Sequence, residues 1–236
     1  MSFLKTAQLP RGRVTDIALG GKYRDRLELP LQKLGIRCEW LPGAPVVDSR
    51  LSGHADLLLL HLGGDRFAAA DGLSLPEWLP AVDKVPVDKN DAALNSCAVG
   101  EYWICCKKTA ALIPAGKTVI PVRQRYTRCS VCIVDERGII TADRGIAKAV
   151  EGRSIDCLLI EPGHIRLDGF PYGFIGGASF KIAPDQLVFT GSLAQHPDGE
   201  KINSFLAARG IRPILLTEEP VFDIGSAVLL TEAVPE

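Results

Sequence analysis

The stretch from Val122 to Phe180 constrains the fold most, because it spells out one complete structural unit and the start of the next. Residues 130–135 (SVCIVD) form a short β-branched run, and Glu136-Arg137-Gly138 is a turn signal. Residues 138–142 (GIITA) read as a second strand, since Ile139, Ile140 and Thr141 suit a half-buried pleated surface. Asp143 is placed to cap a helix, its carboxylate accepting from free N–H groups of the first turn. Ile146, Ala147, Ala149 and Val150 give that helix an apolar face, and Gly152 ends it. Residues 157–162 (CLLIEP) are then a buried strand, broken at Pro162-Gly163. The order is strand, strand, helix, strand.

That order recurs. Openings fall near Val14, Asp56, Ala98, Val131 and Ala178, at intervals of about 33 to 47 residues, a spacing typical of repeat architectures. In the first unit Val14 to Leu19 is a strand and Leu27, Leu31 and Leu34 have helical spacing. The second opens with residues 54–62 (HADLLLLHL) and becomes irregular and Pro-rich around 66–92, where its helix is degraded. The third opens at Asn95-Ser96-Cys97, with a short helix expected around 107–112. The fifth opens with residues 174–182 (FIGGASFKI), and Ile202, Phe205 and Leu206 face inward from its helix. A last apolar run, residues 223–230 (DIGSAVLL), is a strand able to pair with the first unit.

Units this small cannot each bury their own apolar faces. Arranged in a ring, each covers its neighbour, and the terminal strand closes the ring. The expected fold is α/β, a five-unit ββαβ propeller with pseudo-fivefold symmetry and residues 1–236 as one domain. The alternative is an ordinary α/β domain with one mixed sheet.

Composition narrows the function. A chain of 236 residues, 47% hydrophobic and with net charge -1, can bury a sizeable core. Its charge balance points to no nucleic-acid or anionic-membrane partner. No apolar run reaches the roughly 18 residues of a membrane helix. The N-terminus, MSFLKTAQLPRGR, has no long apolar region of the kind a signal peptide carries. Seven Cys, an odd number in a chain that needs no staples, predict free thiols and a cytoplasmic location. The oligomeric state stays open.

The segments CSVCIVDERGIITADRGIA, IDCLLIEPG, YGFIGGASF and FDIGSAV resemble a small bacterial group with the pentein fold, the β/α-propeller of guanidine-group-modifying enzymes. Arginine deiminase, dimethylarginine hydrolase and amidinotransferases have that fold, as does a non-catalytic ribosome anti-association factor. The resemblance implies polar residues where each unit's first strand meets a central channel. Family pieces look like Glu-Gly-Gly-Asp, His-x-Asp and a Cys after a Gly-rich turn. Here FIGGAS has Ile175 in place of the Glu and Ala178 in place of the Asp, and Val228 stands where a terminal Cys would. His54-Ala55-Asp56 fits His-x-Asp, and the following units open at Asn95-Ser96-Cys97 and at Cys129 to Cys132.

The candidate catalytic set is Cys97, His54 and Asp56. Attack on a guanidinium carbon needs a thiolate, a group to move protons, and carboxylates to hold the cation. The candidate substrate-binding set is Asn95, Arg128, Cys129, Cys132, Gly176, Gly177, Ser179 and Asp223. The Cys129-x-x-Cys132 pair has no second ligand pair, so no metal is expected. Gly176-Gly177 is followed by no Lys-Ser/Thr, so no nucleotide cofactor is expected. The expected function is binding of a small polar metabolite in the channel without standard deiminase chemistry. The alternative is a cysteine-dependent hydrolase or amidinotransferase acting on a guanidino or amidino compound.

Overall fold

Sixteen short strands among the described residues fall into five small sheets. The computed structural model describes residues 2–43, 48–80, 82–87 and 91–233; of the irregular 66–92 stretch, 81 and 88–90 lie outside the described residues. In chain order the first unit supplies β1 (Ser2–Phe3), β2 (Arg13–Gly20), α1 (Arg24–Lys33) and β3 (Arg37–Leu41). The second has α2 (Ala55–Leu58), β4 (Leu59–Gly63), β5 (Arg66–Ala70) and β6 (Val82–Val85). The third has β7 (Cys97–Val99), β8 (Tyr102–Cys105) and β9 (Thr118–Pro121). The fourth has α3 (Thr127–Ser130), β10 (Cys132–Ile133), β11 (Gly138–Thr141), α4 (Arg144–Val150) and β12 (Asp156–Leu159). The fifth has β13 (Ser179–Ala183), β14 (Gln186–Phe189), α5 (Gly199–Ala207) and β15 (Arg212–Leu215), and β16 (Val228–Ala233) returns to the first unit.

Every sheet repeats one pattern. A first strand runs antiparallel to a middle strand, which pairs in parallel with a third. In the first unit the first strand is β16, in register with β2 through Val228↔Ala18 and Glu232↔Val14. Val14 therefore does not open its unit; it lies in the middle strand. The mixed pattern also requires a crossover between middle and third strands. Helices α1, α4 and α5 make it in units one, four and five, and Asp143 caps α4 by accepting from Ile146 N–H at 2.8 Å. The short helix expected around 107–112 is a turn at 107–109 followed by irregular chain. Pro114 disfavours helical backbone at the residue before it and leaves too short a run to nucleate.

The apolar core lies in the seams between neighbouring units. Cys97, Val99 and Ile104 of the third unit pack with Ile133, Ile139 and Ile146 of the fourth. Ile140 and Ile160 pack with Leu187, Phe189 and Ile202 of the fifth. Phe180 and Val188 pack with Ile17, Leu19, Leu27 and Leu229 of the first. Ala18 and Leu230 join Leu59 and Phe67 of the second, with Ala98 and Trp103 of the third. Each large apolar side chain so buried contributes about 1.5–3 kcal/mol, and most of that exists only when the neighbouring unit is present. The five-unit ring is thus required by burial. No helix among the described residues is long and apolar enough to cross a membrane.

Candidate active site

Where the five units enter the axis, they are linked by a closed belt of hydrogen bonds. Asp56 N–H donates to Gly225 O (3.2 Å), Ser226 N–H to Gly177 O (2.8 Å), and Gly177 N–H to Cys129 O (2.7 Å). The belt continues through one side chain. Asn95 Oδ1 accepts from Arg128 N–H (2.7 Å) and Cys129 N–H (3.3 Å), while its Nδ2 donates to Asp56 O (3.5 Å). An amide side chain, which offers both a donor and an acceptor, spans the third entry where the backbone does not reach.

The belt fixes a cluster of buried polar groups. Cys129 lies in the single turn α3, and its Sγ donates to Asp56 Oδ2 at 2.8 Å. Asn95 Nδ2 is 3.5 Å from the same sulfur. His54 precedes α2, and its Nδ1 lies 3.9 Å from Asp223 Oδ1. Asp223 is oriented by two backbone donors, Phe174 N–H to Oδ2 and Gly225 N–H to Oδ1, each at 2.8 Å. One donor atom each from His54, Cys129 and Asp223 lie within 4.8 Å of one another, and all three residues are buried. His54 Nε2 and Asp56 Oδ1 are buried and make no hydrogen bond within the protein.

Two glycines permit this packing. A Cβ at Gly177 would sit 2.0 Å from Asp223 Oδ1. Gly225 has φ +73, and a Cβ there would lie 2.3 Å from the Cβ of His54. Only glycine satisfies both the left-handed backbone and the close approach.

Above these groups is a cavity of about 290 Å³ whose lining includes His54, Cys129 and Asp223. Its walls are apolar and aromatic: Leu51, Leu57, Tyr126, Leu167, Phe170, Pro171, Tyr172 and Phe174. Tyr126 Oη donates to Asp91 at 2.7 Å.

Burial dominates the electrostatics. It pushes Asp56 up to about 7 against the hydrogen bond from Cys129, and Asp223 up to about 6 against its two backbone donors. His54 is pushed down to about 3 by burial and by nearby Lys22, so its imidazole is neutral. The Cys129 thiol is raised well above its ordinary range by burial and then by the Asp56 and Asp223 carboxylates. A cation between these carboxylates reverses the last two effects, which is what a thiol nucleophile needs.

The residues expected from sequence are distributed as follows. His54, Asp56, Asn95, Cys129, Gly177 and Asp223 come together. Cys97 does not join them. It begins β7 within the apolar seam of the third and fourth units, where burial pushes its thiol up to about 12. The thiol beside His54 is that of Cys129. Arg128 is a buried bolt on the axis, away from the cavity lining; it donates to Val131 O (3.0 Å), Gly176 O (3.3 Å), Ser179 O (3.4 Å) and Ser226 Oγ. Cys132 faces the seam of the fourth and fifth units, Ser179 Oγ donates to Ile175 O (2.8 Å), and Gly176 lies against Val131 O and Arg128 O. The aromatic wall is absent from the sequence-based expectation. Its signal is the run FPYGF at 170–174, four of whose residues line the cavity.

One family model matches residues 81–228, and its description is "Family of unknown function (DUF6873)". The chain belongs to this family. The DUF6873 stretch holds Asn95, Cys129 and Asp223, whereas His54 and Asp56 lie before it. Among curated proteins nothing matches the chain. Two solved structures are similar over 99% of it. One is SxtG, an amidinotransferase from Microseira wollei in the saxitoxin biosynthetic pathway, with 7% identity, TM-score 0.56 and 99% of that chain covered. The other is an inosamine-phosphate amidinotransferase from Streptomyces griseus, with 9% identity, TM-score 0.51 and 98% covered. At such identities the likeness is one of fold, and the fold is the five-unit pentein ring.

Proposed function

We propose that Cys129 is the nucleophile in a reaction at the carbon of a guanidinium or amidinium group borne by a small molecule with an apolar body. The observation that carries this reading is the convergence of Cys129, His54, Asp56 and Asp223 beneath an aromatic-walled cavity. The cation lies against Asp223, and aromatic faces favour it as well. The Cys129 proton passes to Asp56 Oδ2, its hydrogen-bond acceptor, and Sγ bonds to the substrate carbon. The tetrahedral adduct breaks a C–N bond, and the departing amine carries off that proton. An S-amidinium on Cys129 remains. Water or a second amine then attacks its carbon, neutral His54 accepts the incoming proton, and the C–S bond breaks. Water makes the protein a hydrolase; an amine makes it an amidinotransferase, the activity named for both similar structures.

Binding without chemistry is the weaker reading. Two buried carboxylates beside a buried thiol and an unpaired imidazole are costly for stability, and a passive ligand needs no such thiol. All seven cysteines are unpaired, which fits the reducing cytoplasm. The test compares two alkylating reagents, cationic chloroacetamidine and neutral chloroacetamide. We expect chloroacetamidine to label Cys129 at least tenfold faster, as mapped by peptide mass spectrometry. Equal rates, or preferential labelling of another thiol, would overturn the assignment.

A further inference from the structure

We propose that His54, Cys129 and Asp223 also form a zinc-binding site and, resting on the reading of the cavity as a guanidinium or amidinium site, that a bound zinc ion excludes the cationic substrate. The three donor atoms, one nitrogen, one sulfur and one oxygen, lie within 4.8 Å of one another. Zinc at about 2.0–2.3 Å from each ligand in a tetrahedron needs donors roughly 3.3–3.7 Å apart. The His54 and Asp223 atoms are already 3.9 Å apart, so small side-chain rotations close the remainder.

Three further features point the same way. His54 is 2% exposed, and its Nδ1 is turned inward to Asp223 and not to solvent. Asp223 is held by Phe174 and Gly225 N–H groups, the kind of outer support that aims a carboxylate at a metal and leaves it a free lone pair on each oxygen. The fourth position faces the 290 Å³ cavity, so the site is of the open type, with room for water or a small ligand. The donor set selects the metal. Magnesium and calcium require mostly oxygen ligands, whereas a thiol and an imidazole suit a borderline-soft ion. As the zinc–sulfur bond forms, the Sγ proton leaves, with Asp56 Oδ2 at 2.8 Å as its first acceptor and solvent its final one. Zinc and a guanidinium compete for the same Asp223 oxygens, so each excludes the other.

The site is tested in the full chain, stripped with a chelator and titrated with cobalt(II) as a spectroscopic stand-in. We expect one equivalent to give a near-ultraviolet sulfur-to-cobalt charge-transfer band. The band should vanish in Cys129→Ser, collapse at least fivefold in His54→Gln and persist in Cys157→Ser. In parallel, one equivalent of zinc should slow chloroacetamide labelling of Cys129 at least tenfold, with no change at Cys157 and no effect of magnesium. This second readout uses only the parent protein and holds if a variant fails to fold. A band that survives in Cys129→Ser, or unprotected Cys129 in the presence of zinc, would overturn the site. Neither result bears on whether cationic reagents are preferred without metal.

Discussion

The entries to the third and fourth units offer the same reagent and put it to different ends. Each carries a buried cysteine: Cys97 in one, Cys129 in the other. Cys97 is the first residue of β7, and its side chain falls into a seam of Val99, Ile104 and Ile133. Cys129 lies upstream of β10, in a turn whose N–H groups are held by Asn95. Placed before the strand, it faces Asp56 and the cavity. Position relative to the strand start, and not residue type, separates a packing thiol from the one proposed as nucleophile.

The first test, with the largest expected change in labelling rate, addresses that contrast directly. Asp223→Asn should slow chloroacetamidine labelling of Cys129 by about 10- to 100-fold, the cost of losing a buried charge partner for the reagent. Cys97→Ala should leave the rate within about twofold. Labelling of both variants under matched conditions measures the pair, and a similar loss in Cys97→Ala would erase the distinction.

A pH series follows. Asp56 is raised from 3.8 to about 7, so the folded chain keeps a proton that the unfolded chain loses. Stability from this group is intact below about pH 4 and falls as pH rises toward 7. Asp56→Asn removes the titration. Its stability relative to the parent should therefore climb between pH 4 and 7, by as much as about 4 kcal/mol at 1.36 kcal/mol per pKa unit. His54, lowered to about 3, destabilises the fold as pH falls below its ordinary 6.5, but it acts alike in both proteins and cancels in the difference. Denaturant midpoints across that range check the slope; a flat difference would remove Asp56 from the buried-carboxylate account.

Gly177→Val should lower stability by about 1–3 kcal/mol through overpacking, because its new Cβ meets Asp223 Oδ1. It should also depress labelling of Cys129, an effect a mere packing defect elsewhere would not produce. Smallest is Cys97→Ala, which removes a buried sulfur from the seam and should cost about 1 kcal/mol by thermal unfolding.

Much of the fold is legible along the chain, for reasons the residues show. Asp143, the Ile146/Val150 face and Gly152 spell out one helix and its limits, and the repeated openings call for a ring. The middle strand of the first unit reads as an opening because an apolar strand looks alike in either position. Only pairing with β16 distinguishes them. The third unit's helix fails because Pro114 acts on a run too short to resist it. In the site, His54, Asp56, Asn95, Cys129 and Asp223 stand out as polar residues at unit entries. Choosing between Cys97 and Cys129 needs strand register, which short motifs do not carry. The aromatic wall comes from loop residues around 126 and 167–174, where no periodicity marks which face is inward.

The return of β16 to β2 also sets an order of events in folding. Val228 pairs with Ala18, and Glu232 with Ser2, across almost the whole chain, so the pairings of β16 close the longest loops among the described residues. Local hairpins and crossover helices can form early; the first sheet cannot be completed until the end. Asp223, Gly225 and Ser226 sit just before β16 and reach the axis with it. A chain still emerging from the ribosome thus carries Cys129 without Asp223, the carboxylate proposed to hold a cation beside it. On the proposed chemistry the site is complete only at closure, and in a refolding experiment amidine-selective labelling should lag the far-ultraviolet signal of the helices.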